Sequence, residues 1–278
     1  MFGTRAACWE HTLPTPVRES PAAGVLPAGA SWNAMADSWF GTTALPTYGC
    51  FIPGEDTLHL FPDLAGKRVL DLGCGSGHSL KWCGQQGAAA LWGVDLSSRQ
   101  LENAESLLRG AGYAPVLLHG PMEAPGRLPA GYFDVVYSIY AIGWATDLKA
   151  VFDQAAACLK PGGVLIFSWD HPWMHCVEPT EDGGFAFTGS YTADEPFSYI
   201  QRGQPVTVQN RRLFTYINAL ADAGFRTERL VEETDPAVLS RDAAFSSAYY
   251  SEYKARKFPL SFVLKARKAY ASGERENG

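Results

Sequence analysis

Val69-Leu70-Asp71-Leu72-Gly73-Cys74-Gly75-Ser76-Gly77 runs from an apolar segment directly into three glycines at alternate positions. Arg68 to Leu72 reads as a β-strand, and a helix is expected to open near Ser79. Glycine at such a turn accepts positive φ, and its missing Cβ lets a ligand lie directly against the backbone. Several cofactor classes use a glycine loop after a first strand, so the loop alone leaves the ligand open. The spacing narrows the choice. Glycines at 73, 75 and 77 give G-x-G-x-G, and His78 stands where a dinucleotide-binding G-x-G-x-x-G needs its third glycine.

Outward from this loop the chain alternates strand and helix. A helix from about Ser79 to Gln85 precedes a strand, Ala89 to Val94, that ends in Asp95. Ser97 and Gln100 form a capping box for the next helix, whose apolar face carries Leu101, Ala104, Leu107, Leu108 and Ala111. Strands follow at Pro115 to Leu118 and Phe133 to Ser138. Leu148, Val151, Phe152, Ala155, Cys158 and Leu159 then fall at the spacing of a sheet-packing helix. Lys160-Pro161-Gly162-Gly163 breaks that helix, and Val164 to Ser168 is continuously apolar, as strands buried on both faces are. Units of roughly thirty residues predict a doubly wound α/β fold with a mostly parallel, seven-stranded Rossmann-like sheet.

From His171 to about Arg211 the rhythm fails, and this segment reads as a strand-containing insertion after the fifth strand, expected to be a substrate lid because it interrupts the alternation at the active end of the sheet. Alternation resumes with a helix bearing Leu213, Tyr216, Ile217 and Leu220 and closing at Gly224, then strands near Arg226 to Val231 and Leu260 to Ala266. Upstream, Ser31 to Phe40 is compatible with a short helix carrying Trp32, Met35 and Trp39, and Glu55 to Phe61 with a second one. Together they make an N-terminal helical cap. Residues 1–30, with Pro14, Pro16, Pro21 and Pro27, read as a tail or strap, 31–269 as one domain, and 270–278 as a C-terminal tail.

The 278 residues, 46% of them apolar, are enough for one large α/β domain that buries about three-quarters of its unfolded surface. Cys8, Cys50, Cys74, Cys83, Cys158 and Cys176 form no C-x-x-C pair and no metal-ligand spacing, which favours free thiols in a reducing cytoplasm. No basic segment followed by an apolar run opens the chain, and no apolar run reaches the length of a membrane span. A net charge of −6 argues against a broad nucleic-acid footprint. A cytoplasmic protein acting on a small molecule, without membrane or nucleic-acid partner, is expected; the oligomeric state is left open.

In an open α/β sheet, ligands bind beyond the carboxyl ends of the strands. Gly73 to Gly77, Asp95, the Met122 loop, Ser138 to Trp144 and Trp169 to Trp173 all fall at such ends. An acidic residue in the position of Asp95 accepts charge-assisted bonds from both hydroxyls of a ribose. The competing role, capping the next helix, is better served by Ser97.

Val69 to Gly77 resembles motif I of the class I S-adenosylmethionine (SAM) dependent methyltransferases. Phe133-Asp134-Val135-Val136 resembles motif II, and Leu159 to Gly163 resembles the turn before the fifth strand. Together the motifs cover roughly residues 68 to 170. Further on, His171-Pro172 and Arg212 to Phe225 are similar to a bacterial small-molecule branch close to the ubiquinone and menaquinone C-methyltransferases. The resemblance implies SAM as cofactor, with Gly73, Cys74 and Gly75 along its methionine part and Asp71 on its ammonium. It also implies Asp95 on the ribose, Leu96 against the adenine, the Met122 backbone at the adenine edge, and the Ser138 carbonyl closing on the ammonium. Pro121 stands where many members carry Asp, which makes Glu123 the candidate for the adenine amino group.

On the acceptor side, Tyr140, Trp144, Trp169 and Trp173 cluster at the ends of strands four and five, with Trp39 and Tyr48 available from the cap. Aromatic faces stabilise cations by about 0.5–2 kcal/mol and offer flat apolar walls, which points to a planar or amine-bearing acceptor. The same rings are also what seals a core beneath an insertion. His171 and Asp170 are the nearest titratable groups. His171 is the expected general base, with Tyr140 beside it; the alternative for His171 is a structural His-Pro turn. Three rival functions stand. A nicotinamide-dependent oxidoreductase is opposed by His78 and the lack of a Tyr-x-x-x-Lys pair. A nucleic-acid base methyltransferase is opposed by Ser138-Ile139-Tyr140-Ala141, which lacks the Asn- or Asp-Pro-Pro-aromatic motif. The third is a SAM-binding protein without catalysis.

Overall fold

β1 (Arg68–Leu72) buries every residue from Val69 to Leu72 and lies inside a seven-stranded sheet. The computed structural model describes residues 28–270. The expected proline-bearing strap up to residue 27, Cys8, and the tail from 271 lie outside the described residues. On one side of β1 are β2 (Ala90–Asp95) and β3 (Val116–His119); on the other are β4 (Phe133–Ile139) and β5 (Leu159–Asp170). All five run parallel.

Between β5 and the last strands comes the expected insertion. A 3-10 turn at Pro172–His175 leads into two separate hairpins, β6 (Val177–Pro179) with β7 (Phe185–Phe187), and β8 (Phe197–Gln201) with β9 (Gln204–Val208). β10 (Phe225–Val231) and β11 (Ser261–Lys268) complete the large sheet, whose order is β10-β11-β5-β4-β1-β2-β3. β11 is antiparallel to both its neighbours.

α1 (Ala28–Met35) tightens into a 3-10 turn at Ala36–Trp39 and is followed by α2 (Glu55–Leu58). α3 (His78–Gln85), α4 (Ser98–Gly110), α5 (Leu148–Cys158) and α6 (Leu213–Asp222) are the longer helices between strands of the large sheet. α7 (Pro236–Leu239) and α8 (Glu252–Ala255) lie before β11. The Ser97 hydroxyl caps α4 by accepting from the Gln100 N–H at 3.1 Å. Successive strand residues face opposite sides of a sheet, so a strand covered on both sides must be apolar throughout. Leu70, Leu72, Val136 and Phe167 pack with Phe152 of α5 and Tyr216 of α6 on one side. Val69, Val135, Tyr137 and Ile166 pack with Leu80 and Cys83 of α3 on the other. No helix among the described residues is long and apolar enough to cross a membrane.

Two local expectations are corrected. The helix expected to reach Phe61 stops at Leu58, because the Glu55 carboxylate takes the N–H groups of Leu60 and Phe61 at 2.8 Å each and His59 turns left-handed. Lys160 to Gly163 does not end before a strand but lies within β5. Phe133 pairs with Leu159 and Val135 with Val164, so the intervening residues loop out as an irregularity in the β4–β5 ladder.

Candidate active site

A cavity of about 310 Å³ opens at the carboxyl ends of β1, β2, β4 and β5. Its glycine loop is tied to β2 by the Gly73 and Cys74 N–H groups, which donate to the Val94 carbonyl at 2.8 and 2.9 Å. Gly73 has φ +81°, and a Cβ there would stand 2.4 Å from the Ala141 Cβ; its bareness admits the loop after β4. Gly75 has φ +49°, and nothing lies within 4 Å of where its Cβ would be. Of the two glycines, only Gly75 fronts open space.

Asp95 fixes this loop. Its Oδ2 accepts from the Gly75 N–H and its Oδ1 from the Ser97 N–H, each at 2.8 Å. Burial pushes its pKa above the usual carboxylate value, so that it ionises less readily, against the pull of those backbone donors. Asp71 is 2% exposed, and its Oδ1 has no hydrogen-bond partner among the described residues. Burial, and then the charge of Asp95, push its carboxyl well above the usual range, with the Tyr137 hydroxyl opposing. A buried carboxyl with one unsatisfied oxygen is costly by itself, and a cationic or N–H-bearing ligand relieves that cost. Leu96, Met122, Glu123 and Cys74 share the same wall. Glu123 Oε1 accepts from the Thr146 N–H and hydroxyl, tying its loop to the start of α5. The Cys74 thiol is pushed well up by burial, which rules against a thiolate nucleophile at neutral pH.

The far wall is a chain of aromatic rings. Tyr140 and Trp169 have centroids 5.3 Å apart, Trp169 and Trp144 5.2 Å, Trp144 and Trp32 4.9 Å, and Trp32 and Trp39 6.4 Å. Arg202, at the β8–β9 turn, lays its guanidinium 4.3 Å from the Trp39 ring and donates to the Ser38 carbonyl. Tyr199 and Gln201 of β8 complete the wall. Among these rings sits one acid, Asp170. Tyr140 donates its hydroxyl to Oδ1, and the Tyr250 hydroxyl lies 2.9 and 2.8 Å from the two oxygens. Burial pushes Asp170 up to about 6, with the two tyrosines and Lys254 opposing. Tyr140 itself has φ +55°, an unusual backbone for an aromatic residue, of the kind often found at functional sites.

Asp71, Gly73, Cys74, Gly75, Asp95, Leu96, Met122, Glu123, Tyr140, Trp144, Trp169 and Trp39 are thus brought to one cavity. Three expected site residues are not. His171 is 2% exposed and off the wall; its Nε2 lies 2.6 Å from Glu232 Oε1, and its Nδ1 accepts from the Trp173 N–H. Burial lowers its basicity although Glu232 opposes this. Both ring nitrogens are thus engaged, by Glu232 and by the Trp173 N–H, and neither bond involves a cavity residue, an arrangement that favours the structural His-Pro turn over a base. Trp173 stacks on Tyr191 at 5.0 Å inside the insertion instead of facing the cavity. Ser138 is fully buried and donates its hydroxyl to the Leu72 carbonyl, leaving Ile139, Tyr140 and Ala141 to form the wall there. Tyr48 is core, bonded to Glu55. Sequence reasoning had Asp170 only as a neighbour of His171, and Trp32 only as a helix residue. It missed Tyr199, Gln201 and Tyr250, whose positions depend on distant packing.

A family profile described as a methyltransferase domain matches residues 70–167. An uncharacterized protein of Haemophilus influenzae is 32% identical over 224 residues, covering 76% of this chain and 85% of that protein. A ubiquinone biosynthesis O-methyltransferase of Psychrobacter cryohalolentis is 36% identical over 107 residues, 38% of this chain and 41% of the relative. The chain therefore spans about two-fifths of that enzyme's length. Among solved structures, a SAM-dependent methyltransferase of Mesorhizobium loti superposes with a TM-score of 0.61 at 26% identity, covering 76% of this chain and 94% of that one.

Proposed function

Because the chain belongs to the class I SAM-dependent methyltransferases, we propose that it transfers the methyl group of SAM to a small-molecule nucleophile that is planar or amine-bearing. The nicotinamide alternative falls with that membership. The observation that carries the reading is one cavity shared by the Asp71, Gly75 and Asp95 end and the aromatic wall.

The residues at the first end fit the cofactor. Gly75 leaves open space against bare backbone, and Asp71 has an unpartnered buried oxygen for an ammonium. Asp95, already oriented by the Gly75 and Ser97 N–H groups, would use its remaining lone pairs on ribose hydroxyls. Leu96 and Met122 would flank the adenine. Bound there, SAM supplies an electrophilic methyl on a sulfonium, open to in-line displacement. The chain's own task is then to position. Tyr140, Trp144 and Trp169 would hold the acceptor against the cofactor's reactive end and exclude water. The same ring faces stabilise positive charge during transfer. The ubiquinone-pathway relative matches over less than half of this chain, so its acceptor is not carried over.

Calorimetric titration with SAM and S-adenosylhomocysteine, followed by a metabolite screen read by S-adenosylhomocysteine formation and product mass, tests this function. Wild-type protein that binds neither compound would overturn it.

A further inference from the structure

We propose that Asp170, held between Tyr140 and Tyr250, receives the basic nitrogen of the methyl acceptor, which makes that acceptor an amine with a flat apolar body. This rests on the methyl-transfer reading above and names its substrate class.

Charge is the first argument. The cavity wall carries Asp71, Asp95, Glu123 and Asp170, and among the described residues no Lys or Arg lines it. Asp71 and Asp95 belong to the strand ends around the glycine loop, and Glu123 is taken up by the Thr146 N–H and hydroxyl; Asp170 is the carboxyl bonded to the hydroxyls of the aromatic wall. A carboxylate or phosphate on the acceptor would meet like charge there with no lining cation. A cationic nitrogen meets a carboxylate and several ring faces, and both attract it.

Hydrogen bonding is the second. Asp170 is 7% exposed, and an ionised carboxylate has about four acceptor sites, of which the Tyr140 and Tyr250 hydroxyls leave some open. The groups facing it are those tyrosines, Tyr199 of β8, the Ser261 hydroxyl 3.2 Å from the Tyr140 oxygen, and Lys254 of α8. Lys254 does not satisfy it by contact. The Lys254 ammonium is buried 5.1 Å from the Tyr249 ring centroid, with Glu178 at 4.0 Å, and has no hydrogen-bond partner among the described residues. Gln201, 2% exposed, lines the same wall, and its Oε1 has no hydrogen-bond partner among the described residues. It offers a second acceptor to an N–H.

In the step itself, the acceptor's ammonium gives one proton to Asp170. The freed lone pair forms the new N–C bond as the C–S bond breaks, and the electron pair of that bond stays on sulfur. The positive charge ends on the methylated nitrogen, and Asp170 passes its proton to solvent. Two cations side by side in a dry cavity disfavour each other, which promotes the proton's departure. Burial, opposed by the tyrosines and Lys254, places Asp170 near 6, so it exchanges protons close to neutrality.

The probe is benzyltrimethylammonium, titrated calorimetrically into enzyme saturated with S-adenosylhomocysteine, against its neutral carbon isostere neopentylbenzene and against phenylacetate. The ammonium should bind at least about tenfold tighter than the isostere, a margin of the size of a desolvated cation–aromatic and carboxylate contact. Phenylacetate should bind weakest. Asp170→Asn should cut the preference for charge to what the ring faces alone supply, remove its pH dependence near 6, and leave S-adenosylhomocysteine affinity unchanged. In wild type, ammonium affinity should fall as pH drops through about 6, when the carboxyl protonates. Ammonium binding no tighter than the isostere, or affinity that is flat between about pH 5 and pH 8, overturns the proposal without any variant. Failure of S-adenosylhomocysteine itself to bind overturns the methyl-transfer reading instead, so the two failures are distinguishable.

Discussion

A side chain at Gly73 would bring its Cβ to 2.4 Å from the Ala141 Cβ, whereas one at Gly75 would meet nothing within 4 Å. Substitutions at the two positions should therefore part company. Gly73→Ala overpacks the loop after β4 and should cost about 1–3 kcal/mol of stability. Gly75→Ala should cost the fold only about 1–2 kcal/mol for its left-handed backbone, yet weaken SAM binding, because the methyl enters the space a ligand would fill. Melting curves read the first effect and calorimetry the second; SAM affinity unchanged in Gly75→Ala would take the loop out of the binding site. Asp95→Ala should weaken SAM by about 1.5–3 kcal/mol through lost charge-assisted bonds, with some loosening of Gly75. His171 gives the opposite pattern. Replacing it with Ala removes the Glu232 bond and the cap on Trp173 N–H, worth about 1–2 kcal/mol of stability together. The acidic limb of the pH–rate profile should stay in place. A vanished limb in His171→Ala would return that residue to the mechanism.

Of the two hairpins in the insertion, only β8–β9 reaches the cavity. Tyr199 and Gln201 line it, and Arg202 clamps the 3-10 turn that carries Trp39. The β6–β7 hairpin packs elsewhere, with Phe185 stacked on Tyr253 and Phe187 75% exposed. If the insertion is a lid, its working part is the second hairpin. Arg202→Ala should raise the acceptor KM about two- to fivefold, from the loss of about 0.5–1 kcal/mol of cation–ring attraction, while Phe187→Ser leaves it unchanged. Equal effects from both would make the whole insertion, not this clamp, responsible. The strands and crossover helices were legible in the sequence because each is announced by local periodicity and a local breaker, as at Ser97 and Gln100. The extent of α2 was not, since Glu55 spends its carboxylate on Leu60, Phe61 and Tyr48. The cofactor end was legible because its residues lie within a few positions of strand ends. The acceptor end was not: Asp170 meets Tyr250 across 80 residues, and His171 is turned away by Glu232, 61 residues on. Local spacing carries no signal for such meetings.

Across the whole molecule, the cavity gathers three carboxyls, Asp71, Asp95 and Asp170, that burial makes harder to ionise. Such groups link pH to folding with a definite sign. Between its unfolded value of 3.8 and its folded value near 6, Asp170 holds more proton in the native protein than in the unfolded chain. Stability therefore falls as pH rises through that window, and the full cost is present above it. His78 and His171, lowered chiefly by burial, act in the other direction: their charging penalises the fold as pH falls below 6.5. The wild-type curve alone mixes these contributions. The difference between wild type and Asp170→Asn cancels the groups that do not interact with Asp170, the two histidines among them. Relative to wild type, the variant should gain stability steadily from about pH 4 to about pH 6 and then level off. The pH-dependent gain should be on the order of 3 kcal/mol, read as the shift in urea midpoint at constant slope. A difference that stays flat with pH would mean that the cavity leaves this carboxyl as easily ionised as in the unfolded chain. In that case Asp170 would be wet, and neither its proton exchange near neutrality nor its preference for a cationic partner would follow.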